Sequence, residues 1–286
     1  MSVSATKQNA LTVDVEDYYH VSAFDKYVSR NEWDQYPSRV VANTRRLLEL
    51  FEQHHAHATF FVLGWVGERY PGLVREIQAA GHEIGCHSYW HQLVYQQTPE
   101  EFREDLRRAR DILQGAIGGP VKAYRAPSWS IVEQSKWALE ILVDEGFSYD
   151  SSIFPIYHDR YGMPHANRFP HTLEIGGRRL REFPPSVLRL VGVNFPVCGG
   201  GYFRLYPASW TAYCLRRINQ RALQPFLFYL HPWELDPDQP RIAVDWRTKW
   251  RHYLNISETE KKLHWLLGQF HFDCMSKAFE SSNDDG

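Results

Sequence analysis

The sequence predicts an α/β fold organised around parallel strands, and three observations carry that reading. Short apolar runs alternate with amphipathic stretches of helical period from the N-terminal region to Asp150. Acidic residues, histidines or an arginine stand at the ends of several runs, where a parallel barrel places its chemistry. The chain has 286 residues, 43% of them hydrophobic, enough for one large core.

Leu11-Thr12-Val13-Asp14-Val15 is an apolar run leading into the carboxylate cluster Asp14, Glu16 and Asp17, and reads as the first strand. Residues 38–55 place Val40, Leu47, Leu48 and Phe51 at helical spacing behind Ser38, the expected N-cap. A strand over 57–63 follows, then a helix over 71–80 that Gly81 stops, then Glu83-Ile84-Gly85 leading into a histidine pair. Thr98, Pro99 and Glu101 supply an N-cap, a proline at the first helical position and a capping box. The helix they open carries Phe102, Leu106, Ala109, Ile112, Leu113 and Ala116 on one face and ends at Gly118-Gly119-Pro120. Residues 121–125 read as a strand, 133–145 as a helix and 147–149 as a strand. Past Asp150 the alternation breaks. Residues 151–207 are rich in Pro, Gly and Arg, which predicts long loops, an antiparallel excursion around Arg181-Glu182-Phe183 and a glycine loop at 199–201. A helix over 207–224, a strand ending at His231 and a helix over 257–271 complete the order. No repeat or low-complexity linker divides the chain, so a single domain over 8–275 is expected, with 276–286 a flexible tail.

The net charge of −2 gives no electrostatic footprint for nucleic acid or an anionic membrane. No run approaches the roughly 18 apolar residues that a spanning helix needs, and residues 1–10 lack the apolar core of a signal peptide. A cytoplasmic location, at most peripheral to the inner membrane, is therefore expected. Cys86, Cys198, Cys214 and Cys274 are far apart and form no Cys-x-x-Cys pair, which argues against a thiolate zinc site and a disulfide framework. Ten Trp, 16 Tyr and 16 Phe are more aromatic surface than a core of this size ordinarily uses, and the excess fits a glycan ligand.

Four segments carry chemistry. His87 and His91 are four residues apart, a spacing that brings two imidazoles to one helix face, where they can share a metal ion. In the cluster at 14–17, a continuing strand would put Asp14 and Glu16 on one side, whereas a strand ending at Val15 could present Asp17 instead. Arg125 ends a third run, and Ala126-Pro127 fixes the turn that leads to Ser128 and Trp129. A lone His231 ends the run Phe226-Leu227-Phe228-Tyr229-Leu230. Two imidazoles and one carboxylate make a divalent-ion site with open positions; Zn²⁺ suits it best, with Co²⁺, Ni²⁺ and Mn²⁺ as alternatives.

In this order the four segments resemble the NodB-type polysaccharide deacetylases, carbohydrate esterase family four, which remove N-acetyl groups from amino sugars. His87-Ser88-Tyr89-Trp90-His91 is the most specific element. Asp14-Val15-Glu16-Asp17-Tyr18-Tyr19-His20, Tyr149-Asp150-Ser151-Ser152, Gly199-Gly200-Gly201-Tyr202-Phe203-Arg204 and Arg251-His252-Tyr253-Leu254-Asn255 look like the branch found in exopolysaccharide (exosortase-associated) loci. Residues 232–275 would be its subfamily-specific part. The resemblance implies a distorted (β/α)7 barrel and metal-dependent hydrolysis of N-acetylhexosamine units in an exopolysaccharide or its lipid-linked precursor.

It further implies Asp14 as general base, Arg125 as the arginine that holds it, His87 and His91 as nitrogen ligands, and His231 as general acid. The family's two adjacent aspartates are here spread over Asp14-Val15-Glu16-Asp17, so Glu16 and Asp17 both stand for the carboxylate ligand. Asp150 is expected either to orient His231, the favoured role, or simply to bind local backbone. The backbone of Ser128 is expected at an oxyanion site and His158 at the substrate. Trp129 and Trp233 are candidate sugar-stacking faces, with at least one of them buried. Tyr229 stands where the family has a leucine lining the acetyl pocket. An N-acetylated glycan or lipid-linked saccharide is the expected partner, and no nucleic acid. Two other functions stay open: hydrolysis of another amide, such as a formamido sugar or cyclic ureide, and glycan binding with weak catalysis.

Overall fold

Elements appear in chain order in a computed structural model that describes residues 7–283. Strand β1 (Gln8–Val15) is followed by helix α1 (Val40–Gln53), β2 (Thr59–Val62), α2 (Gly64–Arg69), α3 (Pro71–Ala79), β3 (Glu83–Cys86), α4 (Pro99–Ile117), β4 (Ala123–Tyr124), α5 (Trp137–Asp144) and β5 (Tyr149–Asp150). Two hairpins come next, β6 (His171–Ile175) with β7 (Arg178–Glu182) and β8 (Val187–Leu190) with β9 (Val193–Pro196). Then follow α6 (Gly200–Leu205), α7 (Ala208–Arg217), β10 (Leu227–Leu230), α8 (Trp246–Tyr253), α9 (Ile256–Leu267), β11 (His271–Asp273) and α10 (Met275–Asn283).

The main sheet runs β10-β1-β2-β3-β4-β5-β7-β6, with β11 pairing the start of β1. Every step from β10 to β7 is parallel, which makes seven parallel strands, and β6 lies antiparallel on the outside of β7. The predicted antiparallel excursion therefore supplies the sixth parallel strand, in register Asp150↔Glu182. No ladder joins β7 to β10 among the described residues. The chain after β7 closes that gap instead: Leu227 N–H donates to Ser186 Oγ (2.8 Å) and Tyr229 N–H to the Cys198 carbonyl (2.8 Å). This is the distorted seven-strand barrel that the alternation permits but cannot count.

Strand alternation divides the core in two. Leu11, Val13 and Val15 of β1 face outward with Phe60 and Val62, under the helices. Ala10 faces inward with Phe61, Ala123 and Leu227. Asp14 shares that inward parity, as does Thr12, and both meet one guanidinium inside the barrel.

Most helices match their sequence signals, and the exceptions have physical causes. Thr98 caps α4 with the expected box, its Oγ accepting from Glu101 N–H at 3.2 Å. Ser38 does not cap α1; its hydroxyl donates to Asp17 at 2.7 Å, and Asp17 itself takes the first amides of the helix. The expected helix over 257–271 stops at Leu267, and His271 opens β11, which is held by its pairing with β1. The expected tail over 276–286 is mostly helix: α10 buries Met275, Ala278 and Phe279 in the inner core, and only 284–286 of that tail lie outside the described residues. Among residues 1–10, residues 1–6 likewise lie outside. The predicted helix over 207–224 leaves α-geometry after Arg217 for a π turn over Ile218–Ala222. No described helix is long and apolar enough to cross a membrane.

Candidate metal centre and active site

Five parallel strands deliver the site by one device: the residue immediately after each strand is polar. Glu16 follows β1, His87 follows β3, Arg125 follows β4, Ser151 follows β5 and His231 follows β10. Parallel register aligns these exits at one end of the barrel, where the fold's side chains converge.

β1 ends at Val15, and a three-residue turn follows in which Glu16 N–H donates to the Asp14 carbonyl at 3.0 Å. Both carboxylates consequently approach His231, whose Nε2 lies 3.8 Å from Asp14 Oδ2 and 3.8 Å from Glu16 Oε1. Asp17 points away. Its Oδ2 accepts from Ser38 Oγ, Arg39 N–H and Val40 N–H, and its Oδ1 from Tyr18 N–H, so both oxygens serve local structure. The carboxylate beside the imidazoles is that of Glu16.

His87 and His91 do meet, with ring centroids 5.2 Å apart, but not on a helix. They lie in a loop after β3 in which Ser88 (φ 62°) and His91 (φ 51°) are left-handed. The loop's polar groups are taken by its surroundings. Asp105 of α4 accepts from Tyr89 N–H (2.7 Å) and Trp90 N–H (3.0 Å), while the Ser88 carbonyl accepts from Gly64 N–H at the start of α2 (2.7 Å). His87 Nδ1–H donates to the Arg125 carbonyl at 2.8 Å, which leaves Nε2 as its free lone pair.

Ligand atoms of Glu16, His87 and His91 all lie within 4.8 Å of one another, and all three residues are buried. His91 Nε2 is 2.8 Å from Glu16 Oε2, yet that oxygen takes no hydrogen bond among the described residues. An orphaned buried carboxylate oxygen beside two imidazoles is a donor set that fits a divalent ion. Burial alone would raise the Glu16 carboxyl, but His91, His231 and His87 around it hold it well below the usual range. Burial lowers His87 to about 4, so its imidazole is neutral, as a ligand must be.

Asp14 is fixed by Arg125, whose Nη1 donates to Asp14 Oδ1 (2.7 Å) and to Thr12 Oγ (2.9 Å). The guanidinium is fully buried, lies over the Phe61 ring at 4.3 Å and donates through Nη2 to Ser151 Oγ at 2.9 Å. Of the two roles expected for Asp150 the structure shows the local one: it accepts from Ser152 Oγ at 2.5 Å and from the backbone of Ser151 and Ser152, and it shares a buried site with Glu182 rather than orienting His231. Glu234 takes that place. Its Oε2 accepts from both the backbone N–H (3.0 Å) and Nδ1–H (3.1 Å) of His231, while Oε1 accepts from Arg204 Nε at 2.7 Å. Burial opposes the imidazolium, but Glu234, then Glu16 and Asp14, outweigh it and hold His231 up to about 9. The His-x-x-Glu spacing of 231–234 is the signal that could have pointed to Glu234.

Trp233 is no sugar platform. Its side chain is buried, 4% exposed, stacks on His231 (5.1 Å, 21°) and on His252 (4.2 Å, 16°), and donates through Nε1–H to Glu16 Oε1 at 3.2 Å. Trp129 lies in an aromatic cluster with Phe154, Tyr161 and Tyr229. His158 extends that cluster outward by stacking on Tyr161 (3.8 Å, 12°), and Ser128 (φ 51°) bonds Ser22 through its hydroxyl at 2.6 Å. Tyr229 explains the glycine loop: a Cβ on Gly199 would lie 1.8 Å from the Tyr229 carbonyl oxygen, and one on Gly200 2.6 Å from its ring.

Two family models match the chain, polysaccharide deacetylase over residues 24–143 and a domain of unknown function (DUF3473) over 151–280. A peptidoglycan-N-acetylglucosamine deacetylase of Bacillus cereus is 37% identical over 98 residues, 34% of this chain and 36% of that protein. A peptidoglycan deacetylase of Helicobacter pylori is 33% identical over 121 residues, 41% of this chain and 40% of that protein. The matched stretch thus spans only about two fifths of those relatives. A Mycobacterium smegmatis structure described as a candidate polysaccharide deacetylase superposes with a TM-score of 0.62 at 17% identity, over 99% of this chain and 93% of that one, which shows a common fold.

Proposed function

We propose that this chain, whose residues 24–143 match the polysaccharide deacetylase family model, is a metal-dependent N-deacetylase of N-acetylhexosamine units. The observation that carries the reading is the convergence of Glu16, His87 and His91 beside Asp14 and His231. Glu16, His87 and His91 would hold the ion. When bound, a divalent ion of the Zn²⁺ type polarises the acetyl carbonyl and acidifies water.

The remaining work falls to the chain's own groups. Asp14, kept in place by Arg125, takes a proton from the attacking water as its oxygen bonds to the acetyl carbon. His231, positively charged through Glu234, gives its proton to the sugar nitrogen as the C–N bond breaks. Acetate and a free amine leave. His231 is suited to this because its side chain is the more open of the pair, 16% exposed against 3% for Asp14.

An exopolysaccharide or its lipid-linked precursor is the substrate we favour, supported by the motifs around Asp14 and Gly199 and by a second half that matches a domain model of its own. The four cysteines, all free and buried, support a reducing compartment such as the cytoplasm. The test is product analysis after incubating the protein with N-acetylglucosamine oligosaccharides, with and without added Zn²⁺. Metal-dependent acetate release is expected. Release of formate from formamido sugars alone, or glycan binding without any product, would replace this reading.

A further inference from the structure

The surface of α8 was not used by the chemistry above, and it is unusual in three ways. Five of its eight residues, Trp246, Arg247, Lys249, Trp250 and Arg251, are exposed, and only His252 is buried. Trp246 and Trp250, one turn apart, are 73% and 54% exposed, although indoles are ordinarily among the more buried side chains. The three cations have no ion-pair partner among the described residues. Within 241–251 the one acidic residue, Asp245, is consumed as the N-cap: it accepts from Arg247 N–H, Thr248 N–H, Thr248 Oγ and Tyr27 OH. With Arg241, residues 241–251 hold four cations and one acid, a local excess that the chain-wide charge of −2 conceals.

The helix is also tied to the site. Arg204, which holds Glu234, donates to the carbonyls of Arg251, His252 and Leu254 at the C-terminal end of α8. His252 lies flat against Trp233, which lies against His231. The rim extends beyond α8 through Tyr27, itself 42% exposed and bonded to Asp245.

We infer that α8 is an interfacial docking helix that seats this end of the barrel on an anionic lipid surface. Paired indoles at the headgroup level beside uncompensated Lys and Arg are the composition of a helix lying in a bilayer interface. Charge complementarity selects the anionic surface. A glycan chain is the weaker occupant, because sugars are gripped in clefts, whereas this helix is a ridge with most of its residues facing out. Docking would bring the mouth beside His231 close to the membrane, where a lipid-linked saccharide is presented; that consequence rests on the proposed deacetylation, whereas docking itself does not.

The experiment is co-sedimentation of the full chain with vesicles of phosphatidylcholine alone or mixed equally with phosphatidylglycerol. Binding to the anionic vesicles only, weakened by salt, is expected. Trp246→Ala/Trp250→Ala and Arg247→Glu/Lys249→Glu should each bind at least about tenfold more weakly while keeping the wild-type thermal melt. Equal binding by wild type and both variants, or no binding by wild type, would overturn the proposal. So would an indole pair whose loss instead abolishes retention on immobilised N-acetylglucosamine oligosaccharides, or instead abolishes a dimer in sedimentation velocity. Because vesicle binding needs no substrate, a failed deacetylation assay leaves this result readable.

Discussion

On the proposed reading, Glu16, His87 and His91 are the smallest unit on which function would depend, since two imidazoles and one carboxylate leave no redundancy. His87→Ala or His91→Ala should therefore lose stoichiometric metal and activity together, as measured by metal analysis of the purified variants; retained metal in both would refute the site. Asp14→Asn should behave differently, keeping metal while turnover falls at least about 10²-fold, because the base goes and the ligands stay. Metal loss in that variant would make Asp14 a ligand. At this scale much of the sequence was legible: Asp14, His87, Arg125 and His231 stand at strand ends, and an apolar run followed by a titratable residue can be read without a structure, whereas His91 lies in the loop beyond β3. Glu234 was missed because a glutamate three residues from a histidine across Pro232 looks like a cap, which it also is. Trp233 misled for a similar reason, since sequence shows an indole near a site but not the histidines that stack on it and bury it.

Elements explain what residue spacing could not. A four-residue interval between histidines suits a helix, and the loop that carries them instead depends on Asp105 and Gly64, which lie on other elements and leave no local trace. The same holds for Asp17, which α1 draws away from the imidazoles: the helix's first amides need an acceptor, and Asp17 supplies one from 22 and 23 residues away. Asp17→Asn keeps one acceptor oxygen and loses the other, so it should cost roughly 1–2 kcal/mol in a chemical melt with metal content unchanged. A loss of metal without loss of stability would return Asp17 to the coordination shell. The hairpin of β6 and β7 was visible only as an excursion, because Arg178–Glu182 lacks the apolar run that marks the other barrel strands.

For the whole molecule, acid and base stability are set by buried groups of opposite tendency. Burial lowers His82 to about 4, and its Nδ1 accepts the Ala58 N–H at 3.2 Å, which requires the neutral ring. The unfolded chain binds that proton more readily, so this contribution is lost as pH falls from 6.5 towards 4. Glu182 tends the other way. Burial, and then the neighbouring Asp150, raise its carboxyl well above 4.5, because two carboxyl groups in one dry site cannot both ionise without cost. The folded state holds a proton that the unfolded state releases above 4.5, so stability is present below that value and is lost as pH rises through the folded value. Each unit of displacement is worth ~1.4 kcal/mol. Glu182→Gln keeps a neutral hydrogen-bonding group beside Asp150 and removes the titration, so melting temperatures measured between about pH 5 and 9 should decline less steeply with rising pH in the variant than in the wild type. Parallel curves would mean that Asp150 and Glu182 do not share a proton, and that the Ile153 N–H donated to Glu182 Oε1 at 3.2 Å suffices to hold an ionised pair inside the barrel.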